Sequence, residues 1–323
     1  MILVTGATNF VGRRVVRQLA AEQREGGAPP ICCLVQTSRF EQQLPTDVDF
    51  HIRSASLNDV QALREAMQGV TVIIHLTREE ERPRERTLVD HVEGTRNLLK
   101  AAREADVRRF IYLSRLGATP ASAYPLFRIR GESEIAIAES GLEYTNFRSA
   151  VIYGSDDAFT TRLVMLAKMC PLVLPIPDVG MARFQPLWVE DLAKCIASTV
   201  HRSDLGNRMI PLGGPEHFTS EQMIRRILGA AGMRRRLLHV QMPLMRTAAD
   251  ALGALLVRNP TPMWWLDLAA VGSATDLGTI PKHFGFEPCR FAHCLNYLRR
   301  SRPWRRTFIQ YVLGHSSNPQ HRP

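Results

Sequence analysis

Short, almost entirely apolar runs alternate with longer amphipathic stretches along the first half of the chain. Runs such as 31–35 and 110–114 are apolar at nearly every position, which is typical of parallel strands buried on both faces of a sheet. Between the runs, apolar residues recur at the spacing of a helix, as they do after the turn at 6–12. In addition to a helix after that turn, the pattern predicts strands at 2–4, 31–35, 48–52, 70–76, 110–114 and 144–147, and helices at 59–67, 84–105 and 124–140.

This alternation predicts an α/β fold, a parallel sheet with helices on both faces. Right-handed crossovers make such a sheet a doubly wound Rossmann sheet. After about residue 150 the regularity falls, because proline interrupts shorter segments. We therefore predict a dinucleotide-binding core at 1–150, a smaller, mostly helical substrate-side lobe at 151–298 that is interleaved with the core, and a basic aromatic tail at 299–323 whose end is disordered.

The composition is that of a globular protein, since 45% of the 323 residues are hydrophobic. No charge-free stretch of about 18 apolar residues occurs, so no transmembrane helix is expected, and no signal peptide is visible. No histidine, cysteine or aspartate cluster has the spacing of metal ligands, so no metal site is expected. We interpret all six cysteines as reduced core thiols of a cytoplasmic protein; they are Cys32, Cys33, Cys170, Cys195, Cys289 and Cys294.

The net charge is +10, from 41 basic and 31 acidic residues, and much of the excess lies near the C-terminus. No acidic residue follows Glu287, and arginines alternate with aromatic residues in the tail at 299–323. This pattern is typical of a contact with an anionic membrane surface, although a solvated basic terminus remains open. Nucleic acid is not an expected partner, because no recognition motif accompanies the charge.

The turn from Thr5 to Gly12 joins the first predicted strand to the first helix, where a glycine-rich turn indicates dinucleotide binding. Gly6 allows a tight turn, Gly12 allows the helix to pack closely, and the helix N-terminus offers N–H groups to a pyrophosphate. Asn9 occupies a position where glycine is usual. Asparagine tolerates positive φ, but its side chain can crowd the cofactor, and an ordinary strand-to-helix turn remains the alternative.

Several further motifs follow in order. They read QGVTVIIHL at 68–76, VDHVEGTRNLL at 89–99, RFIYLS at 109–114, GLEYTNFR at 141–148, VIYG at 151–154, FQPLWVEDLA at 184–193 and LGGPE at 212–216. Together with the turn, they resemble the atypical and extended short-chain dehydrogenase/reductase superfamily over roughly residues 1–300. Within it the chain is most similar to the NmrA-like, NAD(P)-binding branch that contains the nucleotide-binding accessory subunit of complex I and its bacterial relatives.

The residues after the second predicted strand indicate which nucleotide the protein prefers. Gln36 follows that strand where an acidic residue would bind the ribose of NAD. Arg13 or Arg39 can face a 2′-phosphate instead, so NADP(H) is favoured over NAD(H), although Arg39 can also be a solvated loop charge. The resemblance implies an aspartate near the adenine, and Ser56 occupies that position. The predicted cofactor site comprises Gly6, Thr8, Asn9, Phe10, Val11, Gly12, Arg13, Gln36, Arg39, Ser56, Leu76, Thr77, Arg128, Ala150 and Val151.

The candidate catalytic residues are Ser114, Tyr124 and Arg128. In active members of the superfamily a tyrosine gives a proton to the carbonyl oxygen, a lysine four residues later lowers the pKa of that tyrosine, and a serine orients the oxygen. Arg128 replaces the lysine, which keeps the charge but prevents a proton relay. A cofactor site without turnover therefore remains equally open.

Other candidates are weaker. Glu190 and Asp191 are expected to cap a helix that begins at Leu192, and Asp156-Asp157 to form a turn. The apolar stretch at 242–257 and the tryptophans at 264–265 can line a pocket, lie at a membrane interface or pack in a core.

The sequence therefore predicts an NAD(P)H-binding, reductase-like protein that reduces or senses a hydrophobic carbonyl or quinone near a membrane. The alternative is a nucleotide-binding structural or assembly subunit of a membrane redox complex, without turnover. A nucleotide-sugar epimerase shares the fold, but Arg128 and the apolar C-terminal lobe disfavour it.

Overall fold

The computed structural model describes residues 1–26, 29–36, 38–76, 85–170, 172–178, 182–255 and 263–299. The first of its two compact units contains Met1–Ser149 and Val189–Leu212, and the second contains Ala150–Trp188 and the chain from Gly213 onward. The strands are β1 (Ile2–Thr5), β2 (Ile31–Val35), β3 (His51–Ser54), β4 (Val72–His75), β5 (Arg109–Arg115), β6 (Glu143–Ser149), β7 (Ile152–Tyr153), β8 (Val173–Asp178), β9 (Arg183–Phe184), β10 (Leu187–Trp188), β11 (Arg208–Leu212), β12 (Phe218–Thr219) and β13 (Arg236–Gln241). The helices are α1 (Phe10–Arg24), α2 (Val60–Ala66), α3 (Glu85–Glu104), α4 (Pro125–Ala138), α5 (Thr160–Met169), α6 (Val189–Thr199), α7 (Ser220–Ala230), α8 (Met242–Leu255), α9 (Met263–Val271) and α10 (Thr279–Phe284).

The first unit is built on a seven-stranded parallel sheet with the order β11-β6-β5-β4-β1-β2-β3. The strand order reverses where β1 lies beside β4, and the carboxyl ends of strands at such a switch point form a ligand crevice. Helix α1 packs against α6, and α3 packs against both α2 and α4. The predicted doubly wound α/β fold is confirmed.

The register of the sheet explains where its core lies. Leu3, Ile73 and Phe110 are aligned on neighbouring strands. They belong to one buried cluster that also contains Leu63 of α2 and Leu98 of α3. Alternate strand residues point to the opposite face, so both faces of β1 and β4 are buried, as their continuous apolar runs predict.

Two elements of this unit differ from prediction. Strand β3 begins at His51 rather than at residue 48, and most of its residues are exposed. An exposed edge strand has no apolar pattern to mark its ends. Helix α6 begins at Val189, so Glu190 and Asp191 lie in its first turn rather than before it. Glu190 there forms an ion pair with Arg14 of α1 at 3.3 Å.

In the second unit, the described strands form three two-stranded sheets: β7 with β10, β9 with β12, and β8 with β13. Its core includes an aromatic cluster, in which the Tyr153 ring lies 4.7 Å from that of Phe291 and 5.3 Å from that of Trp188. The Asp157 carboxylate is buried and accepts hydrogen bonds from Thr160 and Tyr297, among others. Burial raises the pKa of Asp157, and hydrogen bonds from Gly154, Thr160 and Thr161 oppose the rise. Asp157 therefore ties the start of α5 to the segment at 293–299.

The cysteine prediction is wrong for one pair. Cys289 and Cys294 form a disulfide, with Cα atoms 6.6 Å apart. Both are half-buried; Cys289 lies in a loop and Cys294 in the 3₁₀ helix His293–Arg299, and a separation of five residues lets the intervening chain bring them together. Cys32, Cys33 and Cys195 are buried free thiols, and Cys170 is a half-buried free thiol.

Within the described residues, no helix has both the length and the apolar character needed to cross a bilayer. The predicted basic tail lies outside the described residues, apart from Arg299.

Candidate functional site

The candidate site begins at the turn between β1 and α1, at the switch point of the sheet. Gly6 has a φ of +69°, and a Cβ atom on it would collide with the Leu76 carbonyl oxygen. A Cβ atom on Gly12 would collide with the Gly6 carbonyl oxygen. Both positions therefore require glycine, because backbone occupies the space that a side chain would need.

Asn9 has an extended backbone, with φ −80° and ψ 173°, so the expected use of positive φ is wrong. Its side chain instead caps α1, because Oδ1 accepts the Gly12 N–H at 2.7 Å. Its Nδ2 donates to the Leu76 carbonyl oxygen at 3.0 Å. Asn9 therefore holds the turn against the end of β4.

Two backbone donors remain at the start of α1. The N–H groups of Phe10 and Val11 have no acceptor among the described residues, and they lie at the positive end of the helix dipole. The Arg13 guanidinium donates to the Thr8 carbonyl oxygen at 2.8 Å, which holds a cation beside the turn. This combination fits the pyrophosphate of a dinucleotide.

The ends of β2 and β3 carry the other predicted cofactor residues of this edge. Gln36 is exposed directly after β2, and the Arg39 side chain lies outside the described residues. The Ser56 hydroxyl accepts the Asn58 N–H at 3.3 Å in the turn after β3. Asp59 caps α2 through the Ala62 N–H at 3.0 Å. The nearest acidic side chain after β3 is therefore engaged as a helix cap.

His75, at the end of β4, is a buried neutral residue. Its Nδ1 lies 2.6 Å from Thr5 Oγ1, and its Nε2 lies 3.3 Å from Thr95 Oγ1. Because the Thr95 hydroxyl donates to the His91 carbonyl oxygen, we assign the proton to Nε2, and Nδ1 accepts from Thr5. Burial, with smaller contributions from Arg130 and His91, lowers the pKa of His75 to about 3. The imidazole thus supports β1 and β4 and stays uncharged at neutral pH.

Ser114 lies near the carboxyl end of β5, with only 2% of its surface exposed. Its Oγ has no hydrogen-bond partner among the described residues. The amide of Asn146, on the neighbouring strand β6 and the same face of the sheet, is likewise buried without a recorded partner. Buried polar atoms normally have partners, so these atoms suit an oxygen supplied by a substrate or by water.

Tyr124 and Arg128 lie one helical turn apart at the start of α4. Tyr124 is the N-cap residue, and its carbonyl oxygen accepts the Arg128 N–H at 3.1 Å. Both side chains are half-buried. Ser114 Oγ forms no hydrogen bond to either of them, so the three candidate catalytic residues lie on adjoining elements without direct contact through that hydroxyl.

The buried polar face of α4 was not predicted from the sequence. Arg130 donates to the Leu113 carbonyl oxygen at 3.0 Å. Buried Glu134 accepts two hydrogen bonds from Arg148 Nε, at 3.0 and 3.2 Å, and a third from its Nη2. These contacts fix α4 against β5 and β6, the strands that carry Ser114 and Asn146. Charged residues within a helix give no sequence signal of burial, because their partners are distant in sequence.

The remaining predicted cofactor residues are Ala150, Val151 and Thr77. Ala150 and Val151 are buried at the start of the second unit, and Thr77 lies outside the described residues. Across the part of the chain that the structure describes, no three histidine, cysteine or acidic side chains gather as metal ligands.

Comparisons with known proteins agree with this geometry. The chain is 26% identical over 271 residues to mitochondrial NADH dehydrogenase [ubiquinone] 1 alpha subcomplex subunit 9 of Arabidopsis thaliana, a match that takes in 80% of this chain and 65% of that subunit. It is 25% identical over 251 residues to photosystem II assembly factor Ycf39 of Cyanophora paradoxa, over 77% of this chain and 74% of the relative. The chain thus spans about two thirds of the length of the Arabidopsis relative.

The fold also matches a solved structure, that of an NADPH-dependent quinone oxidoreductase from Escherichia coli complexed with NADPH. The TM-score is 0.73 at 22% identity, over 93% of this chain and all of the other. At that identity the likeness shows a shared reductase-like fold. The family described as NAD(P)H-binding matches residues 6–169, which include the glycine turn, Ser114 and all of α4. The chain belongs to the NAD(P)H-binding family.

Proposed function

We propose that the protein binds NADP(H) and reduces or senses a hydrophobic carbonyl or quinone. The observation that carries this proposal is the turn at Gly6 and Gly12, where backbone fills the side-chain space and two N–H groups point out of α1. Gln36 in place of an acidic residue, and Arg13 held beside the turn, favour the 2′-phosphate of NADP(H).

NADPH, when bound, supplies the hydride. The Ser114 hydroxyl then donates a hydrogen bond to the substrate oxygen, and Tyr124 gives that oxygen a proton. Arg128, one turn along α4, stabilises the tyrosinate that remains. Arginine does not lose a proton at neutral pH, so the proton returns to Tyr124 from water rather than through Arg128.

The second candidate function is a nucleotide-binding subunit or assembly factor of a membrane redox complex, without turnover. Arg128 in place of lysine favours it, as do the relatives, which are a complex I subunit and a photosystem II assembly factor by name. On this proposal the protein is cytoplasmic and peripheral at a membrane.

Calorimetric titration with NADPH and NADH tests the cofactor. We expect NADPH to bind at least tenfold more tightly, since the 2′-phosphate adds a charge-assisted contact. Equal affinities would remove the NADP(H) preference, and no binding by either nucleotide would overturn the reductase function.

Tyr124→Phe then separates the two functions. The reductase predicts that quinone or carbonyl reduction falls by at least a hundredfold while NADPH affinity is retained. The matched control is Tyr144→Phe, a half-buried tyrosine of β6 outside the site, which should leave the rate unchanged. An inactive wild-type protein that still binds nucleotide supports the subunit instead.

A further inference from the structure

Beyond nucleotide binding, the second unit has an unusually apolar surface. Nine of the twelve large hydrophobic residues that are strongly exposed among the described residues belong to it. Several of them are gathered at the two-stranded sheet of β8 and β13. Leu172, directly before β8, is 78% exposed, and Leu238 of β13 is 54% exposed.

The register places Val173, Pro175 and Leu238 on one face of that sheet. Val173 pairs with Arg236, and Pro175 pairs with Leu238. Residues paired in a parallel register point to the same face, and so do residues two apart in one strand. Val173 is 40% exposed and Pro175 is also exposed. On the opposite face, Leu174 and Ile176 are buried, so the end of the first face at Val173, Pro175 and Leu238 is the part left exposed.

Helix α8 continues this surface. Val240, at the far end of the exposed face, packs with Met245 and Ala249 of α8. The helix buries only the narrow line of Met245, Ala249 and Gly253, and it leaves Leu244, Leu252 and Leu255 exposed. Asp250 is the one exposed acidic residue of α8.

Basic residues border the same end of the sheet. Arg234 and Arg236 are exposed, and Arg236, which pairs with Val173, lies on the same face of the sheet as Val173 and Leu238. Arg235 between them donates to the Ala167 carbonyl oxygen of α5. An aliphatic surface bordered by arginine is complementary to a bilayer, where apolar side chains enter the acyl boundary and cations meet anionic headgroups.

We propose that the exposed face of β8 and β13, with the outer face of α8, docks on the surface of an anionic lipid bilayer. We call it the ribbon surface. Its residues differ from those of the glycine turn and of the basic tail in the sequence, and docking needs no membrane-crossing segment. Its aliphatic composition favours lipid over a protein partner, because protein interfaces concentrate aromatic anchors.

Vesicle co-sedimentation of the full chain tests the proposal, with phosphatidylglycerol vesicles compared with pure phosphatidylcholine. We expect binding to the anionic vesicles, and at least a tenfold loss in the double variant Val173→Asp/Leu238→Asp. Arg234→Ser/Arg236→Ser should weaken binding about fivefold for each arginine. NADPH titration and thermal unfolding verify that each variant is folded.

Matched controls use the first unit. Ile52→Asp alters a hydrophobic residue of β3 that is 43% exposed, and Arg96→Ser/Lys100→Ser removes two exposed cations from α3. Both should bind vesicles nearly as well as the wild type. The proposal is overturned if the wild-type protein does not bind, if the ribbon variants bind normally, or if the controls lose as much. It is equally overturned if light scattering shows a dimer that the ribbon variants dissociate, since a second copy then covers the surface.

Discussion

The Asn9 side chain donates to the Leu76 carbonyl oxygen at 3.0 Å while it caps α1. One side chain thus joins the start of a helix to the end of a strand 67 residues later in the sequence. The nucleotide turn is held by this link as well as by its glycines.

Asn9→Asp keeps the helix cap but removes the link to Leu76. The carboxylate still caps Gly12, but it cannot donate to the Leu76 carbonyl oxygen and places an acceptor against it, so the free energy of unfolding should fall by about 1–3 kcal/mol. The new negative charge faces the proposed diphosphate, so NADPH affinity should fall at least tenfold. Urea unfolding and calorimetric titration measure the two effects, with Asn58→Asp, an exposed residue of the turn after β3, as the control. Unchanged NADPH affinity would place the diphosphate away from this turn.

Gly12→Ala should destabilise the first unit by about 1–3 kcal/mol, because its Cβ atom meets the Gly6 carbonyl oxygen. It should also abolish measurable NADPH binding, since the helix can no longer lie close to the strand. The matched control is Gly229→Ala in α7, where the space around a Cβ atom is open. That substitution should stabilise the protein by about 0.5–1 kcal/mol. Equal effects of the two substitutions would contradict the close approach.

The pH dependence of stability should contain a contribution from His75. In the unfolded chain a histidine binds a proton near pH 6.5, whereas in the fold the pKa of His75 is lowered to about 3. The unfolded state therefore binds more protons between these values. The free energy of unfolding should fall as the pH drops through this window, by up to about 1.4 kcal/mol per pH unit, and the contribution is constant above pH 6.5.

Urea unfolding from about pH 7 to about pH 5 checks this dependence. His75→Gln should show a flatter profile than the wild type. His51→Gln, which replaces an exposed histidine of β3, should keep the wild-type slope. A His75→Gln profile as steep as that of the wild type would mean that the imidazole is protonated in the fold.

Removing one partner of the Glu134–Arg148 ion pair should lower the free energy of unfolding more than removing both. Arg148→Met leaves a buried carboxylate without its cation, which is expected to lower the free energy of unfolding by about 3–5 kcal/mol. Glu134→Gln/Arg148→Met should recover most of that loss, because no buried charge remains. The exposed pair Glu221–Arg225 on α7 provides the comparison, and Arg225→Met should cost less than about 1 kcal/mol. If the double variant were no more stable than Arg148→Met, charge burial would not be the cause.

The Cys289–Cys294 disulfide predicts how many cysteines react with a thiol reagent. In denaturant without reductant, four thiols should react with a thiol reagent, and all six after reduction. Cys289→Ser should lower stability by about 2 kcal/mol, the loop entropy of a short disulfide ring. Cys170→Ser, at a free and half-buried cysteine, should reduce the thiol count by one and leave the loop closed. Six reactive thiols before reduction would show that the loop is open in solution.

The sequence predicts the elements of the first unit well, because strands buried on both faces are apolar throughout. It predicts the ends of β3 poorly, since an exposed edge carries no such constraint. It also predicts the glycine turn, which is a local feature, but not the role of Asn9, whose second partner is Leu76. A local sequence pattern depends only on residues that are neighbours in the chain. It does not indicate which distant strand the fold places beside them.

The same limit applies to α4. Tyr124 and Arg128 are recognisable by their spacing. In the sequence, Arg130 and Glu134 look like ordinary surface charges. Only the fold shows that Arg130 binds the Leu113 carbonyl oxygen and that Glu134 binds Arg148. Nor does the sequence decide whether the apolar residues of α8 line a pocket, lie at a membrane interface or pack in a core. Hydrophobicity alone does not tell a buried leucine from one that faces outward.

The first unit is discontinuous in the chain, because α6 and β11 follow Ala150–Trp188, which belongs to the second unit. A growing chain therefore lacks α6 and β11 until residue 212 has left the ribosome. Until then the edge of β6 that pairs with β11 is open, and the side of α1 that packs against α6 is uncovered. The part of the second unit that emerges meanwhile also lacks its partners, which begin at Gly213. Both units are thus expected to finish folding together, late in synthesis, rather than one after the other as sequential domains do.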